Sequence, residues 1–240
     1  GYNDVTDGSR VTFAVGLATI KAARAAIKEM CARVAKIWGI DEEAVIWEDG
    51  AAKPSGPNAG DFDPMTLAEI AAISDNTGGP IAGHHEVNAD GAGVSFGVHL
   101  VDTEVDPETG TTKVVRYTIF QDAGKAVHPD YVEGQMQGGA VQGIGWALNE
   151  EYIYGEDGRL QNPGFLDYRV PVASDLPSIE TVILEIPNPG HPYGVRGVGE
   201  TPIVPPLAAI ANAVSRATGV RMTELPMSPP KLLKAMSDKG

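Results

Sequence analysis

The stretch Tyr131-Val132-Glu133-Gly134-Gln135-Met136-Gln137-Gly138-Gly139-Ala140-Val141-Gln142-Gly143-Ile144-Gly145-Trp146-Ala147-Leu148 has the apolar spacing of a helix yet carries five glycines. Each interior glycine costs about 1 kcal/mol relative to alanine, so a helix that keeps several has a reason for them. Two reasons are open: another helix packs very closely, or a ligand lies against the backbone. Three glutamines, Gln135, Gln137 and Gln142, share the stretch. Their amides donate and accept, which suits a heterocycle edge or a phosphate, although taken singly each is also an ordinary solvated surface residue.

Downstream, short strands are predicted at Glu151–Tyr154 and Thr181–Ile186, joined by a proline-rich connection. Gly197-Val198-Gly199-Glu200-Thr201-Pro202 then places one carboxylate on a glycine-flanked turn at the start of an apolar helix, from about Pro202 to Ala217. Thr201 can cap that helix, with Pro202 at its first position. Its positive end favours an ionised Glu200 by about 0.3–1 kcal/mol, and the same residue alone reads as ordinary helix-start chemistry. A last helix is predicted over Pro230–Met236.

Upstream, residues 81–88 and 94–105 read as strands, and Asp106-Pro107-Glu108-Thr109-Gly110 is a turn into a third, Thr111–Phe120, making a β-hairpin. Phe13, Leu17, Ile20, Ile27, Met30, Val34 and Trp38 recur at helical steps and predict a long amphipathic helix from Val11 to Trp38, ended by Gly39. Gly8-Ser9 leads into it, and Ser9 can cap or the free N–H groups can hold an anion. Between lie a hairpin across Asp49-Gly50, a loop from Pro54 to Asp61, and a second helix from Asp63-Pro64 to about Ser74. Helices and strands are mixed without a strict βαβ alternation, so the expected class is α+β with antiparallel-rich sheets, in lobes of about 1–120 and 121–240.

Thirty-two acidic residues against 18 basic ones give a formal charge of −14 and no basic tract to neutralise phosphates, so nucleic acid is not an expected partner. No apolar run approaches a membrane span, and no signal-peptide pattern is present, so a cytoplasmic protein is expected. Cys31 is the only cysteine, which leaves no intrachain disulfide and no cysteine cluster, and it reads as a packed thiol. His84, His85, His99, His128 and His191 show no metal-ligand spacing. No phosphate loop, dinucleotide fingerprint or nucleophile elbow is found.

Taken together, the Gly8-Ser9 element, the glutamine–glycine helix and Glu200 describe a ligand held by N–H groups and amides beside one carboxylate. With Gln121-Asp122-Ala123-Gly124, His128-Pro129, Asn162-Pro163 and Asp167-Tyr168, they make the chain resemble the molybdenum-cofactor-binding subunit of the xanthine dehydrogenase and aldehyde oxidase family, the molybdenum hydroxylases, over nearly its whole length. The resemblance implies a second molybdopterin-binding domain and a molybdenum cofactor held by its pterin dithiolene, with no metal ligand from this chain. The cofactor would be molybdopterin or its cytosine dinucleotide form. Gly8, Ser9, Arg10, Gln135, Gly138, Gly139, Gln142 and Gly199 are the implied cofactor-binding residues, and Glu200 is the implied general base of a hydroxylation that takes its oxygen from water. Implied substrates are electron-poor carbons of N-heteroaromatics, purines, aldehydes or related molecules. Molybdenum subunits of the family are about three times longer. The implied partners are therefore the N-terminal half of that subunit, an iron–sulfur subunit carrying 2Fe-2S, and an FAD subunit, and activity of the chain alone is not expected. The competing reading is a non-catalytic scaffold paralogue, for which an intact Glu200 and Gln135 would have no chemical use.

Overall fold

A computed structural model describes residues 5–88 and 93–239. The chain forms two compact units, residues 14–90 and residues 1–13 with 91–240. These differ from the expected lobes. A boundary at residue 120 would cut strand Thr112–Asp122, whose backbone is bonded to neighbours on both sides.

The 14–90 unit is built on helix α1 (Val11–Trp38), whose C-terminal half buries Met30, Cys31, Val34 and Ala35. Gly39 ends the helix in the left-handed region at φ +69°. Strands β1 (Val45–Glu48) and β2 (Ala51–Pro54) form the predicted hairpin, with Asp49 and Gly50 at φ +51° and +76°, the geometry that matches the twist of a two-residue loop. The helix expected from Pro64 begins later. Met65–Thr66 (β3) first pairs with Ala51–Ala52, and Thr66 then starts α2 (Leu67–Ala72). The Thr66 hydroxyl accepts from Glu69 N while the Glu69 carboxylate accepts from Thr66 N. This reciprocal cap fixes the start that the proline alone suggested. A one-turn helix α3 (Ser74–Thr77) follows. Val34, Val45, Ala52 and Ile70 close the apolar core. Buried Arg33 ties α1 to the following loop by donating to Glu29 and to the Gly79 carbonyl.

The strand expected at 81–88 does not form. Gly83 instead presses on α1, where an added Cβ would sit 1.8 Å from the Ala22 carbonyl oxygen, so this backbone is committed to the helix and not to a ladder.

In the other unit, β4 (Phe96–Val105) and β5 (Thr112–Asp122) make the predicted hairpin. β6 (Ile179–Leu184) joins the free edge of β5 in parallel, giving the order β4-β5-β6. Helix α4 (Pro129–Leu148) connects β5 towards β6, with the His128 ring nitrogen accepting from Tyr131 N at its start. A 3₁₀ turn at Thr201–Ile203 precedes α5 (Pro205–Thr218), and α6 (Pro229–Lys239) follows. Tyr117 and Ile119 of β5, Met136 and Ile144 of α4, and Ile210 and Val214 of α5 meet in one buried core.

Close packing accounts for three of the α4 glycines, Gly145 being pressed by Glu150 and Pro171. A Cβ at Gly139 would lie 2.5 Å from Pro202 Cγ, and one at Gly143 would lie 2.5 Å from Pro206 Cγ. Gly134 and Gly138 face open space. The helix expected from Pro202 starts at Pro205 instead, because the 3₁₀ turn lets Pro202 and Pro206 both seat in those glycine notches. The N-cap of α5 is Val204, not Thr201, and it makes no side-chain cap. The strand expected at Glu151–Tyr154 is reduced to a single bridge between Tyr154 and Leu160. There the backbone serves a side chain instead, as Asn162 accepts from Ile153 N and donates to the Glu151 carbonyl.

Candidate functional site

Gly197–Glu200 and the segment before α1 are joined by one hydrogen bond, in which Glu200 N donates to Ser9 Oγ at 2.7 Å. Gly8 and Ser9 both take left-handed φ, +56° and +57°. That backbone is uncommon for a serine and carries a cost of order 1 kcal/mol or more, so the surrounding contacts must hold it. The hydroxyl expected to cap α1 thus holds the carboxylate-bearing turn.

Both turn glycines are closely approached by side chains. A Cβ at Gly197 would stand 3.0 Å from Ser9 Cβ, and one at Gly199 would stand 2.9 Å from Gln135 Oε1 and 3.7 Å from Ser9 Oγ. Ser9, Gln135, Gly199 and Glu200 therefore converge, and all four line a cleft of about 510 Å³. Glu200 is exposed there.

The other residues singled out in the sequence lie elsewhere. Arg10 donates to the Val5 carbonyl at 2.7 and 3.2 Å and pairs with Asp7 at 3.3 Å. Gly139 packs on Pro202, while Gly138 and the exposed Gln142 do not line the cleft. Gln137 donates to the Ile179 carbonyl of β6, which is a structural use of its amide.

Lys125, Tyr131 and Arg196, none of them expected as a site residue, also line the cleft, with His128. Arg196 is largely buried and is fixed by Asp122 at 3.2 Å, by the Ile186 carbonyl and by the Val94 carbonyl. Asp122 in turn accepts from Gly124 N and Ile186 N. Lys125 pairs with Glu185 at 2.8 Å, and that bond holds the Glu185 carboxyl below its ordinary value. His128 stacks on Tyr131 with ring centroids 4.0 Å apart, forming a flat aromatic wall. Proximity of Asp122-Ala123-Gly124 and His128 to the glutamine–glycine helix was the available signal. The Asp122–Arg196 pair, 74 residues apart, had none.

The donor set decides what could bind. An amide, a hydroxyl and an aromatic wall beside the exposed Glu200 carboxylate suit a flat polar heterocycle, with the two cationic side chains of the lining already paired to Glu185 and Asp122. Gly199 leaves room at the Gln135 amide that a Cβ would fill. Among the described residues, no group of three or more His, Cys, Asp or Glu is placed to hold a metal ion. The residues present fit an organic cofactor.

Comparison with known proteins defines the class. Residues 2–177 match the family model of the molybdopterin cofactor-binding domain, and the chain belongs to that family. Among individual relatives, the 6-hydroxypseudooxynicotine dehydrogenase complex subunit gamma of Paenarthrobacter nicotinovorans is 33% identical over 207 residues, which is 85% of this chain and 24% of that protein. The putative xanthine dehydrogenase molybdenum-binding subunit of Escherichia coli is 38% identical over 167 residues, 69% of this chain and 22% of that protein. A reconstituted CO dehydrogenase from Oligotropha carboxidovorans superposes with a TM-score of 0.83 at 27% identity, covering 99% of this chain and 30% of that one. The chain thus spans about a quarter to a third of these relatives. Residues 197–200 lie beyond the family-model match but within a chain of which 99% superposes. The relatives place the protein among the molybdenum hydroxylases, and the α+β class holds. Among the described residues, no helix is long and apolar enough to cross a membrane.

Proposed function

We propose that this chain is the cofactor-binding, base-bearing part of a molybdenum hydroxylase that oxidises an electron-poor carbon, with water as the oxygen source. The observation that carries the reading is the convergence of Ser9, Gln135, Gly199 and Glu200 on one cleft, from three separate parts of the chain. When bound, the cofactor supplies a metal that makes water a stronger acid and takes up the electrons of the oxidation.

The chain's own residues hold and orient. Gln135 and the backbone at Gly8 and Ser9 would hold the pterin, while the Arg196–Asp122 pair braces the segment that leads into the Gly197–Glu200 turn. Glu200 takes the proton of the water-derived nucleophile at a carboxylate oxygen. Its N–H is fixed by Ser9, so the carboxylate starts from a set backbone position. A positioned base of this kind contributes about 10²–10⁴-fold in rate. Substrates of the N-heteroaromatic, purine or aldehyde classes fit the reaction. The partners are the remainder of the molybdenum subunit, a 2Fe-2S subunit and an FAD subunit, and the cofactor is molybdopterin with or without its cytosine nucleotide.

Glu200→Gln in the complete complex tests the base. Turnover should fall by about 10²-fold or more with molybdenum content unchanged. A variant that keeps more than about a tenth of the activity while fully loaded contradicts the assignment.

A further inference from the structure

Below the Gly197–Glu200 turn, on the sheet face that packs against α4 and α5, lies a set of buried polar side chains. Gln121 is completely buried and donates Nε2–H to the Val198 carbonyl at 3.1 Å. Its Oε1 has no hydrogen-bond partner among the described residues. Gly97 faces Gln121 across the ladder, and a Cβ there would lie 3.9 Å from His99 Nε2 and 3.5 Å from Thr201 Cγ2. The imidazole of His99 therefore leans over Gly97 towards Gln121.

His99 is 8% exposed, with Nδ1 2.8 Å from the Tyr117 hydroxyl. Its Nε2 is also unpartnered among the described residues. Burial pushes this imidazole down to about 4 and raises the Tyr117 hydroxyl, so at neutral pH the ring is neutral and the phenol keeps its proton. One tautomer suits the Tyr117 contact. With Tyr117 donating to Nδ1, the His99 proton sits on Nε2, a donor complementary in kind to the acceptor Gln121 Oε1. For stability alone, an apolar side chain of the same length would serve better than a buried, half-satisfied amide. Gln121 grips the carbonyl two residues before Glu200, and that placement gives the amide a use.

We propose that Gln121, backed by His99 and Tyr117, is a positioning residue that fixes the Val198 carbonyl and so sets how the turn presents Glu200, an inference that rests on Glu200 being the base. Gln121→Met keeps the length and removes the donor. In the complete, cofactor-loaded complex, kcat should fall about 10–100-fold, as expected for a misplaced catalytic group, with KM and molybdenum content unchanged. Turnover would be read with quinoline, hypoxanthine and benzaldehyde and an electron-accepting dye. Hydrogen exchange of the peptide spanning residues 197–204 should accelerate about tenfold or more, a readout that decides the matter if none of the three is turned over. His99→Phe should show the same pattern to a smaller degree, and it serves if Gln121→Met does not fold. Adding it to Gln121→Met should change little, because both act through one contact. Unchanged exchange in the turn, a kcat within about twofold of the parent, or activity lost only in proportion to molybdenum, overturns the proposal. Glu200→Gln separates the two ideas. Full turnover in that variant removes the base itself, whereas an inactive Glu200→Gln beside a normal Gln121→Met removes only the positioning role.

Discussion

Along a single helix, Gly139 and Gly143 are notches filled by Pro202 and Pro206, whereas Gly134 and Gly138, in the preceding turns, face nothing within 4 Å. The histidines divide in the same way: His99 is sealed beside Tyr117, while His128 stands exposed at the start of α4 with its ring nitrogen accepting a backbone N–H. The same residue type thus does interior packing in one place and stands open in the other, and for His128 that open place is the edge of the cleft. A glycine or histidine signals a constraint, and only its surroundings say which.

The largest expected effect is at His99. Its imidazole titrates at about 4 when folded and near 6.5 when unfolded, so the unfolded chain binds more protons between those values. The stabilisation is complete above about pH 6.5 and is lost as the pH falls through about 4, amounting to about 3 kcal/mol. Urea midpoints measured across pH 7 to 4 should show this decline, and His99→Gln should flatten it. A slope that persists in His99→Gln would contradict the assignment.

Next come the filled notches. Gly143→Ala would force the Pro206 ring or the helix to shift, at a cost of about 1–3 kcal/mol, read as a Tm several degrees lower. Gly139→Ala should behave alike, since Pro202 sits as close. The smallest effect, of opposite sign, belongs to the open glycines. Gly138→Ala should raise stability by up to about 1 kcal/mol through helix propensity alone. A loss of molybdenum content in that variant would instead mean that the open face is covered when the cofactor is in place.

Much of the fold was legible because its signals are local. The period of Phe13, Leu17, Ile20 and Ile27 gave α1 its extent, and Asp49-Gly50 and Gly110 marked their turns. The class survived for the same reason. Failures came where a distant partner decided the backbone: Met65–Thr66 pairs with β2, Gly83 rests on α1, and Pro202 is drawn into a notch 63 residues earlier in the chain. The site followed the same rule. Glu200, Gln135 and Ser9 carry chemistry in their own types and motifs, so they could be named. Arg196 and Gln121 matter through Asp122 and Val198, contacts that no linear spacing encodes.

The bond from Glu200 N to Ser9 Oγ spans 191 positions of sequence. A link of that range closes only after the intervening chain has found its place, because its loop entropy must first be met by other contacts. Partly folded molecules would carry the acid without its aim. The turn that carries Glu200 is therefore set late, once the two distant segments have met.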